Sequence, residues 1–284
     1  MAACELCGWA CGIDRAAELG PCRTGETALV ATAYVHHGEE APLVAGGGSG
    51  AIFFALCDMR CQFCQTHKRN VQGRGGQPLD ARALADAMLR LQAQGAANIN
   101  LVTPTHVAPQ IVGALALAAA DGLHLPLVWN SGGYDAPQTL ALLDGLVDIY
   151  LPDMKYSDPA LGRRLSAVPD YPRVNRAAVA EMHRQVGHLA LDGAGRARRG
   201  VLVRHLVMPD FAANTRGVLR WIAQTLGEGT YLSLMDQYRP AYRAFGHAAL
   251  GNALPAEEYA AARDYALGLG LARLDGHLLY ADDG

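Results

Sequence analysis

Apolar and polar positions follow two rhythms along this chain. Short apolar runs, bounded by glycine, proline or polar clusters, occupy residues 49–56, 98–102, 125–130, 146–151, 201–207 and 230–234. Such runs are the pattern of buried strands. Around them lie longer stretches with apolar residues every three or four positions, which predict helices over 78–94, 107–120, 136–143, 159–167, 175–189, 213–226 and 255–269. In the first, Leu84, Met88 and Leu91 share one face and Gly95 ends the helix; in the fifth, Met182, Val186 and Leu189 share one; Pro255 opens the last at a first-turn position. Strand followed by helix, repeated, predicts a parallel sheet flanked by helices. Eight such units close a barrel, whereas this chain offers six. The expected fold is therefore α/β, an open partial (β/α)6 barrel of TIM type, with a C-terminal helix.

The segment before the first barrel strand reads differently. Residues 28–34 alternate weakly, as in a short strand, and His36 and His37 follow on what reads as an exposed loop. Residues 45–50 are glycine-rich and form a joint; no Gly-Lys-Ser/Thr follows, which argues against a P-loop. The expected division is a cysteine-rich module over 1–47, the partial barrel over 48–240 and a helical extension over 241–284.

Composition narrows the partners. The chain has 284 residues, 51% hydrophobic and 18% charged, enough to bury a sizeable core, and its net charge of −3 argues against a nucleic-acid surface. A zinc-ribbon binder of nucleic acid would need a basic, aromatic face near the N-terminus, where only Arg15 and Arg23 stand. The sequence lacks an apolar run of about 18 residues and a basic-then-apolar N-terminal signal, so no membrane partner is expected. Seven cysteines, an odd and closely spaced set, suit metal chemistry in a reducing cytoplasm better than disulfides.

The cysteines fall in two groups. Cys57, Cys61 and Cys64 have three residues between the first pair and two between the second, directly after the first barrel strand. They therefore sit at the strand's C-terminal end, the functional edge of parallel α/β proteins. Three thiolates on one loop can hold three irons of a [4Fe–4S] cluster and leave the fourth open to a small ligand. A structural zinc site normally uses four ligands in two pairs. Cys4, Cys7, Cys11 and Cys22, spaced by two, three and ten residues, form the second group. Four thiolates can close a zinc site or hold an auxiliary iron–sulfur cluster, and the spacing leaves both open.

The Cys-x3-Cys-x2-Cys loop, with Phe63 before its last cysteine, resembles that of the radical S-adenosylmethionine (SAM) superfamily. Residues 128–134 (VWNSGGY), 148–156 (DIYLPDMKY) and 204–209 (RHLVMP) resemble the proteins described as pyruvate formate-lyase activating enzyme-like. The resemblance implies a [4Fe–4S] cluster on Cys57, Cys61 and Cys64 that chelates SAM. The cluster reduces SAM to methionine and a 5′-deoxyadenosyl radical, which takes a hydrogen from the substrate. It places Asn100, Thr103 and Thr105 near the methionine, Asn130 and Ser131 near the ribose or methionine, and Phe63 beside the adenine. Asp153 and Lys155, two apart on a strand, share a face and touch SAM by the same resemblance. Of the neighbours Arg204 and His205 only one can face the cofactor, and His205 is the one expected. An electron donor such as flavodoxin or ferredoxin is implied, and activation of a glycyl-radical enzyme is the usual role. Two-cluster activators carry their extra cysteines after the first motif; here the extra four precede it. That departure leaves a small molecule, a sugar or a peptide as substrate, or a non-catalytic metal-binding protein, as alternatives.

Overall fold

The computed structural model describes residues 3–275; residues 276–284, the end of the expected C-terminal extension, lie outside the described residues. The chain runs β1 (Ala28–His36), α1 (Ala41–Val44), β2 (Ser49–Phe54), α2 (His67–Asn70), β3 (Gln77–Leu79), α3 (Ala81–Ala93), β4 (Ile99–Val102), α4 (Ala108–Ala120), β5 (Leu127–Ser131), α5 (Pro137–Leu143), β6 (Ile149–Pro152), α6 (Pro159–Ser166), α7 (Tyr171–Val186), β7 (Ala190–Leu191), β8 (Ala197–Leu206), α8 (Ala212–Thr225), β9 (Tyr231–Met235) and α9 (Ala256–Gly268).

One open sheet has the strand order β3-β1-β2-β4-β5-β6-β8, with β7 and β9 both pairing β8. The pairs from β2 through β4, β5, β6 and β8 to β9 are all parallel. These are the six strands the sequence predicts, each beside its predecessor, as strand–helix–strand crossovers dictate. β1 and β3 extend the sheet antiparallel beyond β2. β1 falls within the expected 1–47 module, yet it pairs with β2 from His36↔Ser49 to Val30↔Phe54.

Two element boundaries differ from the sequence pattern. Pro78 lies in β3 rather than in a helix, and α3 begins after Asp80, whose carboxylate accepts from the Ala83 N–H at 2.8 Å. The helix expected from Asn175 begins at Tyr171, because Pro172 fits a first turn that needs no N–H and Tyr171 is wholly buried.

Side-chain parity sorts the sheet into two faces. Ile52, Phe54, Ile99, Leu101 and Trp129 pack with Leu84, Met88 and Ile111 of the helices in the largest apolar cluster. On the opposite, inner face, Val128, Ile149, Leu151 and Leu202 pack around Leu43 of α1. Asn100 is level with Ala51 and Val128, so it belongs to this inner face.

Candidate active site at the strand ends

β2 leads through Leu56, at a left-handed φ of 68°, into the loop of Cys57, Cys61 and Cys64. The loop is tied to the end of α6. The Arg60 N–H donates to the Ser166 carbonyl at 3.2 Å and the Gln62 N–H to the Leu165 carbonyl at 2.8 Å. Each sulfur has a polar neighbour: the Met59 N–H donates to Cys57 Sγ at 3.3 Å, the Ser166 hydroxyl to Cys61 Sγ at 3.0 Å, and Thr66 Oγ1 lies 3.6 Å from Cys64 Sγ. The three thiols are partly buried and close enough to act on one another electrostatically. Burial raises Cys57 well above the usual thiol range. Burial also raises Cys61, to about 11, against the pull of the Lys155 ammonium. A bound metal displaces such protons. Three thiols on one loop, within electrostatic reach of one another and each with a polar neighbour, have the donor chemistry of an iron–sulfur cluster with one open iron.

Across the inner face stands a charged cluster. Lys155 Nζ lies 2.5 Å from Asp153 Oδ2, and Arg204 Nε donates to Asp153 Oδ1 at 3.0 Å. The other end of the Arg204 fork donates to Asn130 Oδ1. Asp153 is held below the usual carboxylate range; burial alone would raise it, but Lys155 and Arg204 together outweigh burial. Asp153, Lys155, Arg204, Phe63, Met208 and Met235 line a small, partly open cavity.

The predicted residues divide in two. Phe63 lines the cavity and meets Tyr156 edge-on, ring centroids 6.5 Å apart. Asp153 and Lys155 pair as expected from their shared face, Asn130 joins them through Arg204, and Asn100 lies lower on that face, with no exposure. Thr103, at φ 61°, sits beside Asn70, whose amide donates to its hydroxyl at 3.5 Å. Two expectations are overturned. His205 points to the helix side: its Nδ1 is 2.6 Å from the Met154 carbonyl and its Nε2 3.0 Å from Thr215 Oγ1 on α8. Burial lowers it to about 4, and its neighbour Arg204 takes the inner position. Ser131 also faces away: its hydroxyl donates to Asp135 Oδ2 at 2.7 Å and accepts from the Gly133 N–H at 3.1 Å.

Other residues shape the site without a legible motif. Asp135 also accepts from the Thr105 hydroxyl at 2.8 Å and the Trp129 indole N–H at 3.0 Å, pinning the ends of β4 and β5. The Tyr171 hydroxyl accepts from the Lys155 N–H at 3.0 Å and lies 2.8 Å from the carbonyls of Gly132 and Asp153. Asn175 donates to the carbonyls of Gly133 and Asp153 at 2.9 Å. Gly133, at φ 68°, is packed so closely by Asn175 and Asp153 that a Cβ would clash.

The N-terminal cysteines lie against this site. Cys7 packs with Met59 and Tyr134; the Gly8 N–H donates to the Tyr134 carbonyl at 2.9 Å, and the Trp9 indole donates to the Asp58 carbonyl at 2.6 Å. Cys4 feels Cys11 and Cys22, and Cys7 feels Cys4 and Cys22. Among the described residues no three His, Cys, Asp or Glu side chains converge closely enough to hold a single ion.

No family model matches the chain. It is 29% identical over 264 residues to the uncharacterized protein MJ0674 of Methanocaldococcus jannaschii, an alignment covering 90% of this chain and 71% of that one. Among solved structures it is similar to Streptococcus suis SuiB bound to its precursor peptide SuiA. The TM-score is 0.53 at 11% identity, over 80% of this chain and 48% of SuiB. The likeness is one of fold. This chain spans about half the length of SuiB.

Proposed function

We propose that this protein is a radical SAM enzyme built on an open partial (β/α)6 barrel. The observation that carries the reading is the placement of Cys57, Cys61 and Cys64. They lie together on the loop at the C-terminal end of the first parallel strand, within electrostatic reach of one another, with the Asp153–Lys155–Arg204 cluster across the inner face. The similarity of fold to SuiB supports it. Cys57, Cys61 and Cys64 would hold a [4Fe–4S] cluster. With SAM bound, the cluster supplies one-electron cleavage of the carbon–sulfur bond and so a radical that takes hydrogen from the substrate.

The chain's own residues define the rest. Asn130, Asp153 and Lys155 offer both donors and acceptors to the polar groups of SAM. Arg204 takes the place at the cofactor expected for His205. Phe63, Met208 and Met235 give the cavity an apolar wall that excludes water and unwanted hydrogen donors. The N-terminal quartet, whose thiols do not converge on one point here, would have to draw together to hold an auxiliary cluster or zinc, and a flavodoxin or ferredoxin would deliver the electron. Seven free thiols suit a reducing cytoplasm. For the substrate, the peptide bound to SuiB favours a peptide over a glycyl-radical enzyme, and the position of the extra cysteines before the motif keeps a small molecule as the second reading.

The test is 5′-deoxyadenosine formation from SAM by protein reconstituted with iron and sulfide without oxygen and given a strong reductant. Wild type should form it and Cys61→Ala should not. A wild type with full iron and sulfide content that forms none refutes the reading.

A further inference from the structure

The cysteine loop has an outer side as well as the side that meets the cavity. Two other segments hold it there. The Gln62 side-chain amide donates to the Arg164 carbonyl at 2.6 Å, the Gln65 amide to the Arg239 carbonyl at 2.7 Å, and the Arg243 N–H to the Gln62 carbonyl at 2.9 Å. His67, three residues past Cys64, stacks on Tyr242 with ring centroids 5.0 Å apart. The segment after β9 has two sides. Tyr238, Ala244 and Leu250 are buried and pack with Phe63, which lines the cavity. Arg239, Arg243 and Phe245 are exposed, Phe245 by 72%. The contact of Cys64 Sγ with Thr66 Oγ1 is likewise exposed, whereas those of Cys57 and Cys61 with their polar neighbours are partly buried.

The charge of this outer side is one-sided. Residues 60–74, 159–169 and 237–254, which meet at the loop, hold eight lysines and arginines and no aspartate or glutamate, in a chain whose net charge is −3. Of the bordering acids, Asp158 caps α6, Asp170 pairs with Arg173, and Asp236 stands beside the cavity residue Met235. Among the described residues Arg60, Lys68, Arg164, Arg239 and Arg243, all exposed, form no ion pair. Crowded like charges attract and orient an oppositely charged partner. An exposed aromatic ring among arginines is the composition that interface centres favour.

We propose that this face docks an acidic one-electron donor protein, with Phe245 as its apolar anchor and Arg60, Lys68, Arg164, Arg239 and Arg243 as its charged contacts. The proposal rests on the radical SAM reading for the destination of the electron and not for the docking. The occupant is a donor rather than a substrate because Phe63 and the residues packed on it stand between this face and the cavity, whereas the cysteine loop lies directly beneath it. One electron leaves the donor's reduced flavin or iron–sulfur centre for the site of Cys57, Cys61 and Cys64; no bond forms or breaks.

The probes are a flavodoxin and a ferredoxin, with a hexaglutamate peptide to stand for negative charge alone. Each is titrated calorimetrically into the whole, cluster-reconstituted chain at low salt and at about 0.3 M salt. At least one donor should bind at low salt, weaken at least about tenfold at high salt, and bind more tightly than hexaglutamate. Arg239→Glu combined with Arg243→Glu should weaken it at least about tenfold, and Phe245→Ala at least about fivefold. Arg198→Glu makes a like charge change on an exposed residue at the opposite, N-terminal end of β8 and should leave binding unchanged. Circular dichroism checks folding; if the double variant does not fold, the salt series in wild type and Phe245→Ala decide. Binding of neither donor, binding indifferent to salt, or an equal loss from Arg198→Glu overturns the proposal. Hexaglutamate binding as tightly as the donors overturns it in favour of an acidic peptide. 5′-Deoxyadenosine formation by wild type with a chemical reductant is read separately, so a failed docking face and a failed radical SAM reading give different results.

Discussion

Glu39 offers a prediction whose size follows from its surroundings. Its carboxyl is raised from 4.5 to about 7, first by burial and then by the Glu40 charge, against the weaker opposing pull of Arg204. In the unfolded chain the group ionises near 4.5. Between that pH and 7 the folded protein holds a proton that the unfolded chain has released. The stability contribution is therefore fully present below 4.5 and lost as pH rises through 7. At about 1.4 kcal/mol per pH unit the loss is about 3 kcal/mol. Glu39→Gln keeps the shape and a donor toward Glu40 but cannot ionise. Urea unfolding of reduced, metal-free protein at pH 5 and pH 8 measures the effect. Asp275, raised to about 6 by burial, also contributes to the wild-type slope, so the quantity to read is the difference between the two proteins. Relative to wild type, Glu39→Gln should gain roughly 2–3 kcal/mol between pH 5 and pH 8. If the two proteins lose stability in parallel over that range, Glu39 is not held protonated and the account of this buried cluster is wrong.

Three substitutions test the placement of the site. Tyr171→Phe deletes the hydroxyl that meets the Lys155 N–H and the carbonyls of Gly132 and Asp153. It should cost about 1–3 kcal/mol in urea unfolding and raise the SAM dissociation constant, since Asp153 and Lys155 lose their support. Arg204→Gln and His205→Gln separate the two neighbours on β8: calorimetric titration with SAM should show about tenfold or greater weakening for the first, which loses charge-assisted bonds, and little change for the second, whose penalty appears in stability instead.

The alternation of apolar runs and helical periods made the parallel sheet legible, because each rhythm reports burial directly. The cysteine loop was legible because its chemistry is local: three thiols within eight residues share one loop whatever the rest of the chain does. What failed was orientation. Arg204 and His205 are adjacent, and sequence carries no mark of which parity faces inward. Register with Asp153, just past β6, and with Asn130 on β5 decides it, and that is a long-range fact. Ser131 went astray for the same reason, one position out of step with Asn130. Asp135, Tyr171 and Asn175 had no motif at all, since their partners are backbone carbonyls and side chains brought near only by folding. β1 gave too weak an alternation to reveal that it continues the sheet, because its inward residues include Tyr34, stacked on Phe53, and His36, edge-on to it, rather than residues sealed in a core.

The position of the N-terminal module follows from the same contacts. A segment with so many glycines and few core residues cannot hold itself by hydrophobic burial, yet it contacts two pieces of the site. Trp9 holds the Asp58 carbonyl inside the cysteine loop, while Gly8 and Leu6 bond the backbone of Tyr134 and Ala136 just past β5. Ordering the quartet of Cys4, Cys7, Cys11 and Cys22 therefore constrains Cys57 and the Gly132–Gly133 turn together. The four extra cysteines precede the motif in sequence but stand beside it in space. Their place in the chain thus says little about remoteness from the chemistry, and a metal bound there would stiffen the loop that carries Cys57 before any substrate arrives.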